Sequence, residues 1–241
     1  MVRLLGVALL LVLSPLASGD ERCALVETPG GPAALVGPYP RPGSPEDAAD
    51  QAVVLWEQRT RTPEEVARAA SEEVLSLQDF AGALGRAFDP SRHPLTEALL
   101  ARGAAAAGSC VAAAKKAYAR PRPYAADPRV VPSVERESTG SYPSGHATRG
   151  ALFASLLAEL APERREALLR RGAQIGEDRV IAGVHYPSDV AAGRRLGEAL
   201  AKALLGDPVF HRALEEARAG EWRSTERGLP ADDGEPVPEP R

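Results

Sequence analysis

Three short stretches of this chain carry residues that can do chemistry together. In the first, Lys115 and Arg122 stand seven residues apart, about two helical turns, so on a continuous helix both cationic heads point the same way. Pro121 and Pro123 flank Arg122, end the helix there and hold the guanidinium on a stiff corner. Between residues 101 and 150 there are eight basic residues and three acids, in a chain whose formal net charge is −4. Such a local surplus marks an anion site rather than a generally basic protein, although alone it also describes a solvated helix face. The second stretch is Gly140-Ser141-Tyr142-Pro143-Ser144-Gly145-His146, which runs directly into an apolar helical segment. A glycine-containing loop that feeds a helix turns free N–H groups and the positive dipole end toward an anion. Gly145 allows close approach, Ser144 adds a hydroxyl donor, and His146 falls on the first turn. The third stretch runs from Arg179 through His185 to Asp189. Pro187 and Ser188 start a helix whose first turn places the Asp189 carboxylate within reach of one nitrogen of His185. That fixes the tautomer and leaves the other nitrogen as a nucleophile or base. A lone pair of this kind equally describes a helix cap beside a buried polar residue; its value comes from the other two stretches.

The elements that must position these residues read as helices. Alanine-rich runs with few β-branched residues favour helix over sheet, and aromatics make up only 5% of the chain. Ser44-Pro45-Glu46-Asp47 and Thr62-Pro63-Glu64-Glu65 are helix starts, with a capping hydroxyl, a proline in the first turn and acids at the positive end. Helical runs follow at about 96–118, 147–160, 163–177 and 188–204, and more weakly at 208–219. No strand pattern of any length and no internal repeat is present. The expectation is an all-α fold, a single compact helical bundle over 44–220.

The ends have other compositions. Met1-Val2-Arg3, the apolar run Leu4 to Leu13 and the small residues Ala17-Ser18-Gly19 read as a secretory signal peptide over 1–19. Ser14-Pro15 interrupts the run well short of the roughly 20 apolar residues a membrane span needs. Residues 20–43 form a Pro/Gly-rich arm, read over 28–45 as extended rather than helical, and 221–241 a tail that cannot bury a core. The two cysteines, Cys23 and Cys110, are either one staple in an oxidising compartment or two buried thiols. His93, in a loop between helices, reads as structural or solvent-exposed, and His211 has no assigned role. The composition excludes collagen-like, disulfide-dense and nucleic-acid-coating proteins, and no mature segment is long and apolar enough to span a bilayer.

Together, Lys115-x6-Arg122-Pro123, Pro143-Ser144-Gly145-His146 and Arg179-x5-His185-x3-Asp189 resemble the three-part signature of the type 2 phosphatidic acid phosphatase superfamily. The Gly-Ser-Tyr-Pro-Ser-Gly-His context and the helical N-terminal half are similar to the secreted bacterial class A non-specific acid phosphatases. The resemblance covers roughly 44–220 and implies the helical fold shared by acid phosphatases and vanadium haloperoxidases. One departure is Asp178, where that family usually has Ser before the arginine; altered local hydrogen bonding is expected there. The resemblance implies a periplasmic or secreted phosphomonoesterase. Lys115, Arg122, Ser144, Gly145 and Arg179 would bind phosphate, His185 would attack phosphorus oriented by Asp189, and His146 would protonate the leaving alcohol. With unperturbed histidine values near ~6.5 this favours mildly acidic pH. Neither metal nor cofactor is implied, and the expected partners are small phosphate monoesters, with no nucleic acid and no membrane span. A homo-oligomer is compatible with the sequence. The same three blocks also fit a vanadate-dependent haloperoxidase, and a non-catalytic phosphate-binding helical module is the third alternative.

Overall fold

In the computed structural model, which describes Cys23, Leu25 and residues 29–222, the helices begin where the sequence supplies caps. Helix α1 spans Gly31–Val36, α2 Pro45–Thr60, α3 Pro63–Ser71 and α4 Ala81–Leu84. Ser44 Oγ accepts from Asp47 N at 3.2 Å to open α2. Thr62 and Glu65 exchange side chain-to-backbone bonds of 3.2 and 2.7 Å to open α3, so both proline starts satisfy amide groups that a helix end leaves without partners.

The frame of the fold is built from four helices: α5 (Pro94–Tyr118), α7 (Gly145–Leu160), α8 (Arg165–Ile181) and α9 (Pro187–Gly206). The short α6 (Pro123–Ala126) follows α5, and α10 (Pro208–Ala217) runs into a π-helical turn, Arg218–Trp222. Helix α7 is central. Leu152, Phe153, Leu156 and Leu157 are almost completely buried, each such side chain worth about 1.5–3 kcal/mol. Helices α8 and α9 approach α7 closely because glycines line the seams: a Cβ on Gly150 would lie 2.7 Å from the Gly172 carbonyl oxygen, and one on Gly172 2.5 Å from that of Gly150. Gly193 likewise lets α9 press on the Ser144 carbonyl. The two seams hold the beginning of α7, where Ser144, Gly145 and His146 sit, against the end of α8 and the beginning of α9.

Among the described residues every regular element is helical, and the chain is one all-α domain. Several local expectations change. Residues 31–36 are not extended: Pro32 suits a first helical turn, and Ala33 to Val36 dock α1 on α5 and α9. Tyr142 Oη donates to the Val36 and Gly37 carbonyls at 3.1 and 3.0 Å, and Arg195 Nη2 donates to Val36 O at 2.8 Å. Helix α8 starts at Arg165, since Pro162–Arg164 forms a 3₁₀ turn, and continues to Ile181, past the 177 expected. Glu221 and Trp222 belong to the fold rather than to a tail. Glu221 accepts from the Leu95 and Thr96 amides, and Trp222 Nε1 donates to Thr96 Oγ1 at 2.9 Å. His93 is buried, its ring 4.4 Å from Phe88 and 5.0 Å from Trp222, so it is structural and not exposed. Cys23 and Cys110 form a disulfide across 87 residues, which ties the start of the arm to the middle of α5. The expected signal peptide and the tail beyond Trp222 lie outside the described residues.

Candidate active site

Helix α5 does not continue to Arg122. It ends at Tyr118, and Ala119 turns left-handed with φ 47°, so the two-turn argument for a shared face of Lys115 and Arg122 fails. They meet through a third residue instead. Lys115 Nζ donates to Thr139 Oγ1 (3.2 Å) and to the Gly140 carbonyl. Arg122 donates from Nε to Thr139 O (2.9 Å) and from Nη2 to Thr139 Oγ1 (3.3 Å). The loop before α7 is thus the clamp that gathers both cations.

A cleft of about 680 Å³ opens here, lined by Lys115, Gly145, His146 and His185 among others. His185 is buried. Its Nδ1 faces Asp189 Oδ2 at 3.3 Å and its Nε2 faces Arg122 Nη1 at 3.3 Å. Asp189 also accepts from the Tyr186 amide at 2.9 Å and from Arg120 Nη1 at 2.7 Å. His146 Nε2 lies 3.2 Å from the Glu73 carbonyl. Ser144 is fully buried, and its Oγ accepts from Ala147 N at 3.3 Å, so its hydroxyl caps α7 behind the cleft wall. Arg179 is reached from an adjoining cavity of about 530 Å³, which shares His146 and Glu137 with the first. Its Nη2 donates to Glu72 Oε2 at 2.9 Å and to the Ala69 carbonyl.

Burial dominates the proton affinities. It pushes His185 down to about 4, against the opposing hydrogen bond that the ring donates to Asp189. His146 is pushed down to about 3 by burial, with Arg179 and Arg149 adding to the effect. Lys115 falls to about 8 by burial beside Arg122. The unperturbed histidine values expected from sequence therefore do not hold: both rings are neutral in the free protein at ordinary pH. Such an arrangement offers one oriented neutral imidazole, a second imidazole at a helix start and fixed cations around a common volume. That is a site for an anion and for transfer of a group to nitrogen.

Comparison with known proteins identifies the lineage. Residues 94–211 match the PAP2 superfamily model. A non-specific acid phosphatase of Providencia stuartii is 33% identical over 197 residues, covering 77% of this chain and 78% of that protein. The chain belongs to the PAP2 superfamily. A non-specific acid phosphatase of Salmonella typhimurium is 36% identical over 160 residues, 63% of this chain and 64% of the relative, so the match spans just under two thirds of that protein. A transmembrane PAP2-type phosphatidylglycerolphosphate phosphatase from Bacillus subtilis has a similar fold, with TM-score 0.52 at 18% identity, covering 77% of this chain and 91% of that one. Among the described residues here, no helix is long and apolar enough to cross a membrane.

All three motif blocks lie inside the PAP2 match. The Asp178 departure has a local answer: Arg68 on α3 grips its carboxylate with bonds of 2.9 and 2.7 Å, so the additional buried charge is paired. Asp178 also raises its neighbour Glu72, which burial chiefly pushes to about 7, while Arg171 and Arg179 pull it back. Sequence reasoning counts Arg120 and Glu137 only as charges. In the fold Arg120 joins Asp189 to Asp50, and Glu137 accepts from Arg122 Nη2 at 2.6 Å inside the cleft. No local pattern marks the partners of Arg120. Nothing local marks Glu137.

Proposed function

We propose that the protein is an acid phosphatase of the non-specific class A type, hydrolysing phosphate monoesters through a phosphohistidine at His185. The observation that carries this is the convergence of His185, His146, Lys115 and the N-terminus of α7 on one cleft, with Asp189 behind His185 and Arg122 beside it. Because Nδ1 is turned to Asp189, Nε2 is the attacking atom. It forms the N–P bond in line as the ester P–O bond breaks, and His146 delivers its proton to the departing alkoxide. Water then attacks phosphorus, returns a proton to His146 and frees His185 with inorganic phosphate. Arg122, Lys115, Arg179 and the Gly145 and His146 amides hold the non-bridging oxygens, where fixed positive charge supplies most of the catalysis of phosphoryl transfer. Ser144 acts through the helix cap.

These cations take the charge-neutralising part that a metal plays elsewhere, so turnover is expected to persist in chelator. An export route fits the N-terminal sequence, and the Cys23–Cys110 disulfide supports an oxidising compartment.

The test is hydrolysis of phenyl phosphate at pH 5–7 in chelator by the mature protein and by His185→Ala, with acid-labile phosphate on His185 sought by rapid quench and mass spectrometry. The expected result is turnover and a labelled His185 in the wild type, with kcat lowered by at least about 10³-fold in the variant. Turnover unchanged in His185→Ala refutes the nucleophile; a folded wild type with no turnover refutes the phosphatase.

A further inference from the structure

Arg149 is a charge in the cleft that the three sequence blocks do not use. It stands three residues after His146, so the two side chains share one face of α7, and both line the cleft. It is half-buried, and among the described residues its guanidinium makes no hydrogen bond and no ion pair, whereas Arg120, Arg122 and Arg179 each have carboxylate partners. The facing wall is a smooth stripe of α5, Gly108, Val111 and Ala112, which ends in Lys115 and the exposed Lys116. A Cβ on Gly108 would meet nothing within 4 Å, so the cleft is open along this stripe. Two acids, Glu73 and Glu137, also line the cleft, and Glu137 is already paired with Arg122. Burial lowers the proton affinity of Arg149, with Glu137 the group that opposes it. A partly desolvated guanidinium without a protein partner is costly unless an anion reaches it.

We infer that Arg149 recognises a second anionic group, a carboxylate or another phosphate, on the alcohol part of the substrate. The inference rests on the phosphatase reading above and deepens it: the favoured substrates are phosphate monoesters that carry a second anion near the ester. The spacing agrees. Residues three apart on a helix have Cβ atoms roughly 5–6 Å apart. A group held by Arg149 is therefore only a few bonds from the ester oxygen that His146 protonates. The guanidinium fork binds carboxylate or phosphate through two parallel hydrogen bonds, which a neutral phenyl or alkyl group cannot accept.

The experiment compares kcat/KM for phenyl phosphate, 2-phosphoglycerate and ethylene glycol bisphosphate in wild type, Arg149→Met and Arg149→Lys, beside calorimetric affinities for inorganic phosphate and methylenebisphosphonate. The expected result is a ratio of second-anion substrate to phenyl phosphate that falls tenfold or more in Arg149→Met and largely recovers in Arg149→Lys. The bisphosphonate affinity should weaken tenfold more than the phosphate affinity. A fall for 2-phosphoglycerate alone assigns the carboxylate, and one for ethylene glycol bisphosphate alone assigns the second phosphate. Unchanged ratios overturn the inference and leave the phosphatase reading standing. Equal losses for every substrate also overturn it, because Arg149 then serves the transferable phosphate. If the wild type hydrolyses nothing, the phosphatase reading falls and the two calorimetric affinities alone decide whether Arg149 reads a second anion.

Discussion

Arg120 offers the sharpest test of how the fold supports the histidine. Its guanidinium is buried and joins two elements distant in sequence: it donates to Asp189 Oδ1 (2.7 Å) and Ser188 Oγ (2.7 Å) at the start of α9, and to Asp50 Oδ2 (2.9 Å) and Asp47 Oδ1 (3.3 Å) on α2. It also lies 3.9 Å from the centre of the Tyr186 ring. Replacing it with Ala leaves Asp189 and Asp50 buried without their cation, and breaking a buried pair from one side costs about 3–5 kcal/mol. A desolvated cation–π contact adds about 2 kcal/mol. Set against a total stability of about 5–15 kcal/mol, Arg120→Ala is expected to be at or near the limit of folding. Arg120→Lys keeps the charge but, as a single ammonium, cannot bridge both carboxylates, and about 2 kcal/mol should be lost. The assay is urea unfolding of both variants at pH 7, with the pH profile of kcat for Arg120→Lys. Since Arg120 touches Asp189 and not the cleft, kcat should fall more than KM rises, and the acidic limb of the profile should move as Asp189 loosens its hold on His185. Stability of Arg120→Ala within about 1 kcal/mol of wild type would refute the argument that this cation is what makes the buried carboxylates tolerable.

Other expectations concern stability. His185 binds its proton at about 4 in the folded protein and near ~6.5 in the unfolded chain, so between those values the unfolded state holds more protons and stability rises with pH. Stability is therefore intact above ~6.5 and falls by about 3 kcal/mol as pH drops to 4; His146, lowered to about 3, acts with the same sign. Urea midpoints at pH 7 and 4.5 should show a smaller acid loss in His185→Gln than in wild type, and equal losses contradict the burial of His185. Gly172→Ala drives a methyl into the Gly150 carbonyl and should cost about 2–3 kcal/mol with a lower melting temperature; no change would mean that α7 and α8 separate freely. Removing the Cys23–Cys110 bond by double Ser substitution should cost about 4 kcal/mol in the chain-entropy view, measured by denaturation with and without reductant.

What could be read in the sequence was local. Ser44 and Thr62 announce α2 and α3 because their caps involve residues only three apart. Asp189 lies four residues beyond His185, and a helix that begins at Pro187 turns its carboxylate back toward that ring through backbone geometry alone. The failures were of two kinds. Ala33 to Val36 looked like part of an extended arm because prolines and glycines surround them, yet docking against α5 and α9 stabilises a turn and a half of helix that composition argues against. The direction of each arginine is the other kind. Arg120 and Arg122 are two residues apart but serve Asp50 and Glu137, partners 70 residues before and 15 residues after them, and no local pattern encodes that choice. Arg68 and Asp178, 110 residues apart, are legible only once α3 is seen to lie on α8.

The same burial that costs stability in acid also sets the protonation of the two cleft histidines. Burial keeps both rings neutral, with Arg179 and Arg149 adding to it at His146 and Arg122 and Lys115 at His185. In the proposed mechanism this is the state His185 requires, since only a neutral nitrogen attacks phosphorus. For His146 it is the wrong one, because the leaving alkoxide needs a proton. A phosphate dianion bound in the cleft would offset the share of the depression that Arg179 and Arg149 add to burial, and so raise the proton affinity of His146. Coupling of this kind is reciprocal, so whatever makes His146 easier to protonate also makes the anion bind more tightly as pH falls. Glu137 already contributes in that direction. Burial pushes its carboxyl up, but Arg122 and Lys115 outweigh this and keep it ionised, so in the proposed mechanism substrate phosphate must compete with it for Arg122. In the proposed mechanism an acidic working range is expected, because bound phosphate favours the protonated state of His146 that the leaving group needs.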